Sequence, residues 1–281
     1  MINTAFKTIL LTIRALIKNR GSLSVFAALY ALLLATLYGF IATREATIGQ
    51  ILLTLLFAAA SPVVFFLLQA VIINRTRHGR IEWYRALRDS CKLALLALPL
   101  ILAGVLIASL LNRLQAHFPA PHISQPLQVA TTPPAGAVPQ PTHWPTVLFA
   151  TLRSLLFGIV LPLTLIRLWI ELGHQDLVGL VRSGWRSLLK QLGSIISRAF
   201  EPRSFLIYSA GLIVFALIPY LLLFVHLPLP GAWKEISIFT VRLALVFAFT
   251  LLGWVMTLST LAQGDGTVVI EMAGADTNTD E

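Results

Sequence analysis

The chain is expected to fold as an all-α polytopic membrane protein, with six transmembrane helices and amphipathic interfacial helices on the cytoplasmic face. Three observations carry this. The 281 residues are 57% hydrophobic and only 12% charged, with mean hydropathy +0.83, whereas soluble domains carry about 25% charged residues. Six apolar stretches reach the roughly 20 residues that a helix needs to cross a hydrocarbon core about 30 Å thick. The basic residues alternate between segments, rich in one set and sparse in the next.

Taken in order, residues 1–21 read as an interfacial helix. Phe6, Ile9, Leu10, Ile13, Leu16 and Ile17 share one helical face, with Lys7, Arg14 and Lys18 off it. Span one, Ser22 to Thr43, begins too far in and runs too long for the apolar region of a cleaved signal peptide. Span two, Ile48 to Ile73, contains Pro62, which is expected to kink it and free a carbonyl. The basic loop 74–92 follows, with a weaker stripe of Ile81, Tyr84, Leu87 and Cys91 beside Arg85, Arg88 and Lys92.

Span three is Leu93 to Asn112. The outer loop 113–144 has seven prolines and few charges, which favours an extended linker, or a strap that binds a partner, over a packed domain. Span four, Pro145 to Ile170, contains Pro162. In the basic loop 171–203, Leu188, Leu189, Leu192, Ile195, Ile196, Ala199 and Phe200 lie opposite Arg186, Lys190 and Arg198. Apolar faces backed by Lys and Arg suit helices lying in a membrane interface. Spans five and six are Ser204 to His226 and Ile236 to Ala262. The tail 263–281 is acidic and, toward its end, expected to be disordered.

Backbone groups in hydrocarbon must be satisfied internally, so these long runs read as helices, not as the short alternating segments of a barrel. The three basic segments hold 15 Lys and Arg; the alternate loops hold Arg44, Arg113 and Lys234. The positive-inside rule then places both termini in the cytoplasm, and the short loops suit a cell inner membrane. The net charge of +9 needs no nucleic acid to explain it. Lys7, Arg14, Lys18, Arg85, Arg88, Arg186, Lys190 and Arg198 stand where anionic headgroups would be.

Each basic helix precedes an outward and a returning span, so the chain reads as three units. The junction from Arg20 through Ser22 to Phe26 resembles that from Pro202 through Ser204 to Tyr208. A true repeat and independent convergence on the same topology both account for this.

Candidate chemistry is sparse. No span contains an Asp or a Glu, although proton- and cation-moving proteins usually keep a carboxylate in the bilayer. Arg153 and Arg242 each lie about two turns inside a returning span, roughly 10 Å below the outer boundary. A guanidinium there must find water, a phosphate or a carbonyl. The pair is thus a candidate anion or lipid-headgroup site, or each arginine snorkels separately to the interface. Arg167 and Glu171 stand at i, i+4 and are a candidate intrahelical ion pair.

Trp83, Trp144, Trp169, Trp185 and Trp233 fall near interfaces, as in an aromatic belt. Trp254 lies within span six and reads as packing. Gly158, Gly211 and Gly253 suit close helix contact. No HExxH, Walker A or serine-protease loop is present, so no catalytic residue, metal or cofactor is assigned. Cys91, the single cysteine, reads as a small apolar residue at the membrane surface.

The function expected first is a non-catalytic membrane subunit or scaffold organising anionic lipids or partner proteins, among them a partner membrane protein or an ATPase. A transporter or flippase for an amphiphilic or anionic substrate is the alternative, and an enzyme acting on lipid headgroups is third. A polar cavity reaching Arg153 and Arg242 would favour transport. A dry packed interior would favour a scaffold, and a cleft with carboxylate and histidine an enzyme.

Overall fold

The computed structural model describes Arg14 and residues 20–43, 47–118, 144–172, 185–224 and 232–263. Among these there is no strand, and six helices are long and apolar enough to cross a membrane. The all-α polytopic fold is as the hydropathy pattern dictates. Lys7, Lys18, most of the Pro-rich loop and the acidic tail lie outside the described residues.

Helix α1 is Arg20–Ala42, α2 is Ile48–His78 and α3 is Trp83–Ala116. Span four is built from α4 (Trp144–Leu155), a π-helical turn π1 (Leu156–Val160) and α5 (Leu161–Leu172). The basic helix α6 (Trp185–Ala199) leads into span five, made of α7 (Pro202–Leu212), a second π turn π2 (Ile213–Leu217) and α8 (Ile218–Phe224). Helix α9 (Ala232–Gln263) is the sixth span.

The start and stop of α2 show how sequence sets these bounds. Thr47 and Gln50 form a reciprocal capping box, 3.3 Å from the Gln50 N–H to the Thr47 hydroxyl and 3.0 Å from the Thr47 N–H to Gln50 Oε1. At the other end Gly79 takes φ 73° and donates its N–H to the Arg75 carbonyl, a left-handed cap that favours glycine. Arg75, Arg77 and His78 occupy the last turn, where cations suit the negative end of the helix dipole.

The expected loop 74–92 is therefore a tight turn of residues 79–82 between two helices. The sequence Asn74 to Lys92 contains one strong helix breaker, Gly79, so both neighbouring helices extend into it. At 1.5 Å per residue, α2 and α3 run about 45–50 Å, well beyond the hydrocarbon thickness. The middle interfacial helix is thus the first turns of α3 itself. Its apolar stripe stays uncovered: Tyr84 is 84% and Leu87 55% exposed, and Cys91 is exposed, while Ala86, Ser90 and Leu93 turn inward. Only α6 is a separate basic helix among the described residues.

The prolines fall into two settings. Pro62 and Pro99 sit inside continuous α-helices. Pro162 and Pro219 each follow a five-residue π turn and one intervening residue. In both turns that intervening residue, Leu161 or Ile218, donates its N–H five residues back, to Leu156 or Ile213. Proline has no N–H to continue the ladder, and the wider turn accommodates the break. The matched pair thus falls in spans four and five, not in spans two and four.

The chain divides into two compact units, residues 97–165 and the remainder. In the larger, α1 packs along α2, and α9 packs against α2, α7, π2 and α8. Its core lies toward the C-terminal ends of the returning spans. Leu68 to Asn74 of α2 are buried on every face, as are Ile166 to Ile170 of α5 and Val255 to Ala262 of α9. Exposed apolar residues dominate the opposite ends, such as Ile48 to Leu56 of α2. In the smaller unit, a Cβ at Gly104 would lie 2.9 Å from Leu161, and the Phe118 and Phe149 rings stack 6.3 Å apart.

Close approach also joins spans five and six. A Cβ on Gly253 would lie 2.8 Å from the Phe215 backbone nitrogen, and one on Gly211 would collide with the Thr257 hydroxyl. Gly158 faces no described atom within 4 Å. Close helix contact thus accounts for two of the three glycines.

Candidate functional site

Three places hold the polar chemistry of the described residues. The first is a set of braces across the basic ends of the helices. Arg75 Nε donates to Ser22 Oγ at 2.7 Å, tying α2 to α1. Arg77 Nη2 donates to the Ile170 carbonyl at 2.6 Å, capping a C-terminal acceptor of α5. Arg167, 5% exposed, donates from Nη2 to Ser204 Oγ at 2.5 Å, and the Ser204 hydroxyl donates to the Arg198 carbonyl at 3.2 Å. Ser22 and Ser204 are the aligned serines of the two similar junctions, and each accepts a guanidinium from a returning span. The Thr76 hydroxyl reaches that of Ser259 at 3.1 Å, joining α2 to α9.

Glu171 lies 3.5 Å from Arg198 of α6, so its carboxylate ties span four to the basic helix. Arg167 and Glu171 therefore both serve tertiary contacts as well as standing one turn apart on a single helix. Trp169 departs from the aromatic belt. It is 1% exposed and meets Phe65 and Phe66 edge-to-face at 6.1 and 5.9 Å. Trp83, Trp144 and Trp233 are exposed, as belt residues should be.

Around these braces the basic surface is open. Arg14, Arg85, Arg88, Lys190 and Arg198 are exposed. Arg186 lies on α6, with its side chain outside the described residues. Glu82 pairs with Arg80 at 2.8 Å and Arg85 at 3.1 Å. Exposed pairs of this kind contribute about 0–1 kcal/mol and leave the patch net basic.

The second place is Arg153 in the smaller unit. Its Nη2 donates to Asn112 Oδ1 and Gln115 Oε1, both at 2.6 Å. The guanidinium is thus held by two amides of α3. Beside it on the same helix runs an almost wholly apolar groove of about 790 Å³, lined by residues such as Trp144, Leu148, Leu152 and Phe118. Arg242, half-buried on α9, belongs to the larger unit.

The third place is a cavity of about 170 Å³ in the larger unit, walled mainly by Tyr30, Phe65, Gln69, Phe215, Thr250 and Trp254. Gln69 is wholly buried, and its Oε1 accepts the Trp254 indole N–H at 2.7 Å. Its Nε2 has no hydrogen-bond partner among the described residues. Burying such a donor costs about 1–3 kcal/mol.

Neither cavity is lined by Arg153, Arg242, a carboxylate or a histidine. No cluster of His, Cys, Asp and Glu suited to a metal exists among the described residues. Sequence reasoning missed Ser22, Ser204, Asn112, Gln115 and Gln69. Gln69 carried a usable signal, a lone amide deep in an otherwise apolar run. No family model, no characterised protein and no solved structure matches the chain.

Proposed function

We propose that the chain is a non-catalytic integral membrane protein, a membrane-embedded subunit or scaffold that organises anionic lipids or partner proteins. One observation carries this reading. The guanidiniums of Arg75, Arg77, Arg153 and Arg167 on the spans are each held by a protein acceptor. They brace helices together, and a substrate path would need such charges open to it. The two cavities described are apolar and lack an acid–base pair.

In this reading the basic ends and both termini face the cytoplasm of a cell whose inner membrane holds the protein. Arg85, Arg88, Lys190 and Arg198 then meet anionic headgroups, each contributing about 1 kcal/mol. The uncovered stripe of Tyr84, Leu87 and Cys91 shares the first turns of α3 with Arg85 and Arg88 and supplies the apolar face that an interfacial helix buries. The partners are membrane lipids and a membrane protein or ATPase; nucleic acid is not among them.

A transporter or flippase is the second reading, favoured by the matched π turns before Pro162 and Pro219. Vesicles containing the purified protein and a fluorescent phosphatidylglycerol decide between them. The scaffold reading expects probe to cross no faster than in protein-free vesicles. It also expects Arg85, Arg88, Lys190 and Arg198 changed together to Gln to weaken binding of the solubilised protein to anionic lipid by about tenfold or more. Rapid, protein-dependent crossing would replace it with the transport reading.

A further inference from the structure

The start of α3 carries a two-part surface. Tyr84, Leu87 and Cys91 fall at i, i+3 and i+7 and form one exposed apolar line. Arg85, Arg88 and Lys92 each directly follow a residue of that line, so they form a parallel basic line beside it. Glu82 pairs with Arg80 and Arg85, and Asp89 offsets part of the charge of Arg88 and Lys92. The cations still outnumber the acids, so this face suits a partner that is at once apolar and acidic.

The same end of the larger unit delivers such a segment. The Thr76 hydroxyl meets that of Ser259, so α9 ends at Gln263 close to the end of α2. The Asn74 amide donates to the Glu82 carbonyl at 3.2 Å, which holds the start of α3 against the same helix. Beyond Gln263 comes an apolar run, Val268 to Ile270, with Asp265 before it and Glu271 directly after. Residues 264–281 also hold Asp276, Asp280 and Glu281, and no Lys, Arg or His. So short an apolar run is a poor membrane anchor, and anionic headgroups repel its charge. From Gln263 an extended chain reaches up to about 17 Å at Val268 and about 28 Å at Glu271. A short tether sets an effective concentration on the order of mM, so contacts too weak to hold a free peptide suffice.

We propose that residues 264–281 dock on this face, with Val268 to Ile270 along Tyr84, Leu87 and Cys91 and with Asp265 and Glu271 against Arg88 and Lys92. The tail then occupies surface that the scaffold reading gives to anionic lipid, and tail and lipid exclude each other there. Only this exclusion rests on that reading; the contact itself needs no lipid.

The test uses the full-length protein in phosphatidylcholine nanodiscs, with Val269 replaced by photoreactive benzoylphenylalanine. Illumination and peptide mass spectrometry of the monomer band are expected to show position 269 linked to residues 80–92 of the same chain. Arg88→Glu together with Lys92→Glu should lower that yield about fivefold or more, by turning attraction into repulsion. Adding Asp265→Lys and Glu271→Lys should restore it, which separates lost docking from lost folding. Links only to lipid, to another part of the chain or to a second copy would each overturn the proposal, as would an unchanged yield in the first pair or no recovery in the second. Phosphatidylglycerol added to the nanodiscs should lower the yield, and a constant yield would overturn the exclusion. The link formed in neutral lipid reads the docking alone, so its failure and that of the scaffold reading are told apart.

Discussion

Gly253→Leu is expected to yield little folded protein, because it drives a side chain into the backbone of span five. The first added carbon would lie 2.8 Å from the Phe215 nitrogen and 2.9 Å from the Phe215 Cβ. A flexible side chain would turn aside from such a contact, but a main-chain atom cannot. Phe215 also sits in π2, where the ladder is already interrupted ahead of Pro219, so displacement there meets few alternatives. Overpacking costs typically about 1–3 kcal/mol, and a backbone collision belongs at the upper end. Gly211→Ala is also expected to destabilise: turning the Thr257 hydroxyl aside sacrifices its 2.7 Å bond to the Gly253 carbonyl and still leaves the new carbon 2.9 Å from Thr257 Cβ, so part of the helix contact must open. Gly193→Ala is the control. A Cβ there meets no described atom within 4 Å, and alanine favours a helix by about 0.5–1 kcal/mol. Heating followed by gel filtration in detergent ranks the three. Equal melting of Gly253→Leu and wild type would show that spans five and six are not locked at this crossing.

Ser204→Ala should destabilise the protein more than removal of the charge it serves. The hydroxyl is wholly buried, accepts the Arg167 N–H at 2.5 Å and donates to the Arg198 carbonyl at 3.2 Å. Its loss removes a hydrogen bond to a buried cation, worth about 1.5–3 kcal/mol, and leaves the carbonyl short of a donor. Arg167→Met keeps much of the length, removes the desolvation cost of a buried cation and leaves the Ser204 hydroxyl its bond to the Arg198 carbonyl. Glu171 retains Arg198 at 3.5 Å in that variant. The double variant should recover much of the loss, with a coupling of about 1–2 kcal/mol in a double-mutant cycle. A cycle that closes to zero would mean that Arg167 and Ser204 do not act together.

The six spans were legible because each is a run of apolar residues bounded by charge, and membrane insertion leaves helices as the only solution. What escaped was mostly the reach of polar side chains between distant segments. Nothing near Arg167 in the chain announces Ser204, 37 residues away, and nothing near Arg153 announces Asn112. Arg153 was legible as a charge needing a partner, but the partner depends on how α3 and α4 pack. The segment 74–92 was legible as a basic stretch with a weak helical stripe, but not its continuity with the spans: Arg, Lys, Leu and Ala all favour helix and only Gly79 stops it. Trp169 was misplaced because an aromatic near a span end reads as an interfacial anchor until Phe65 and Phe66 are seen against it.

The proposed scaffold role rests on arginines that hold helices together and a basic face left open. The most direct measurement is native mass spectrometry of the protein gently extracted from its host membrane. The scaffold reading predicts a stoichiometric second protein, or a fixed number of anionic lipids that fall away when Arg85, Arg88, Lys190 and Arg198 are changed to Gln. A lone chain that carries neither, and loses nothing in that variant, would contradict it.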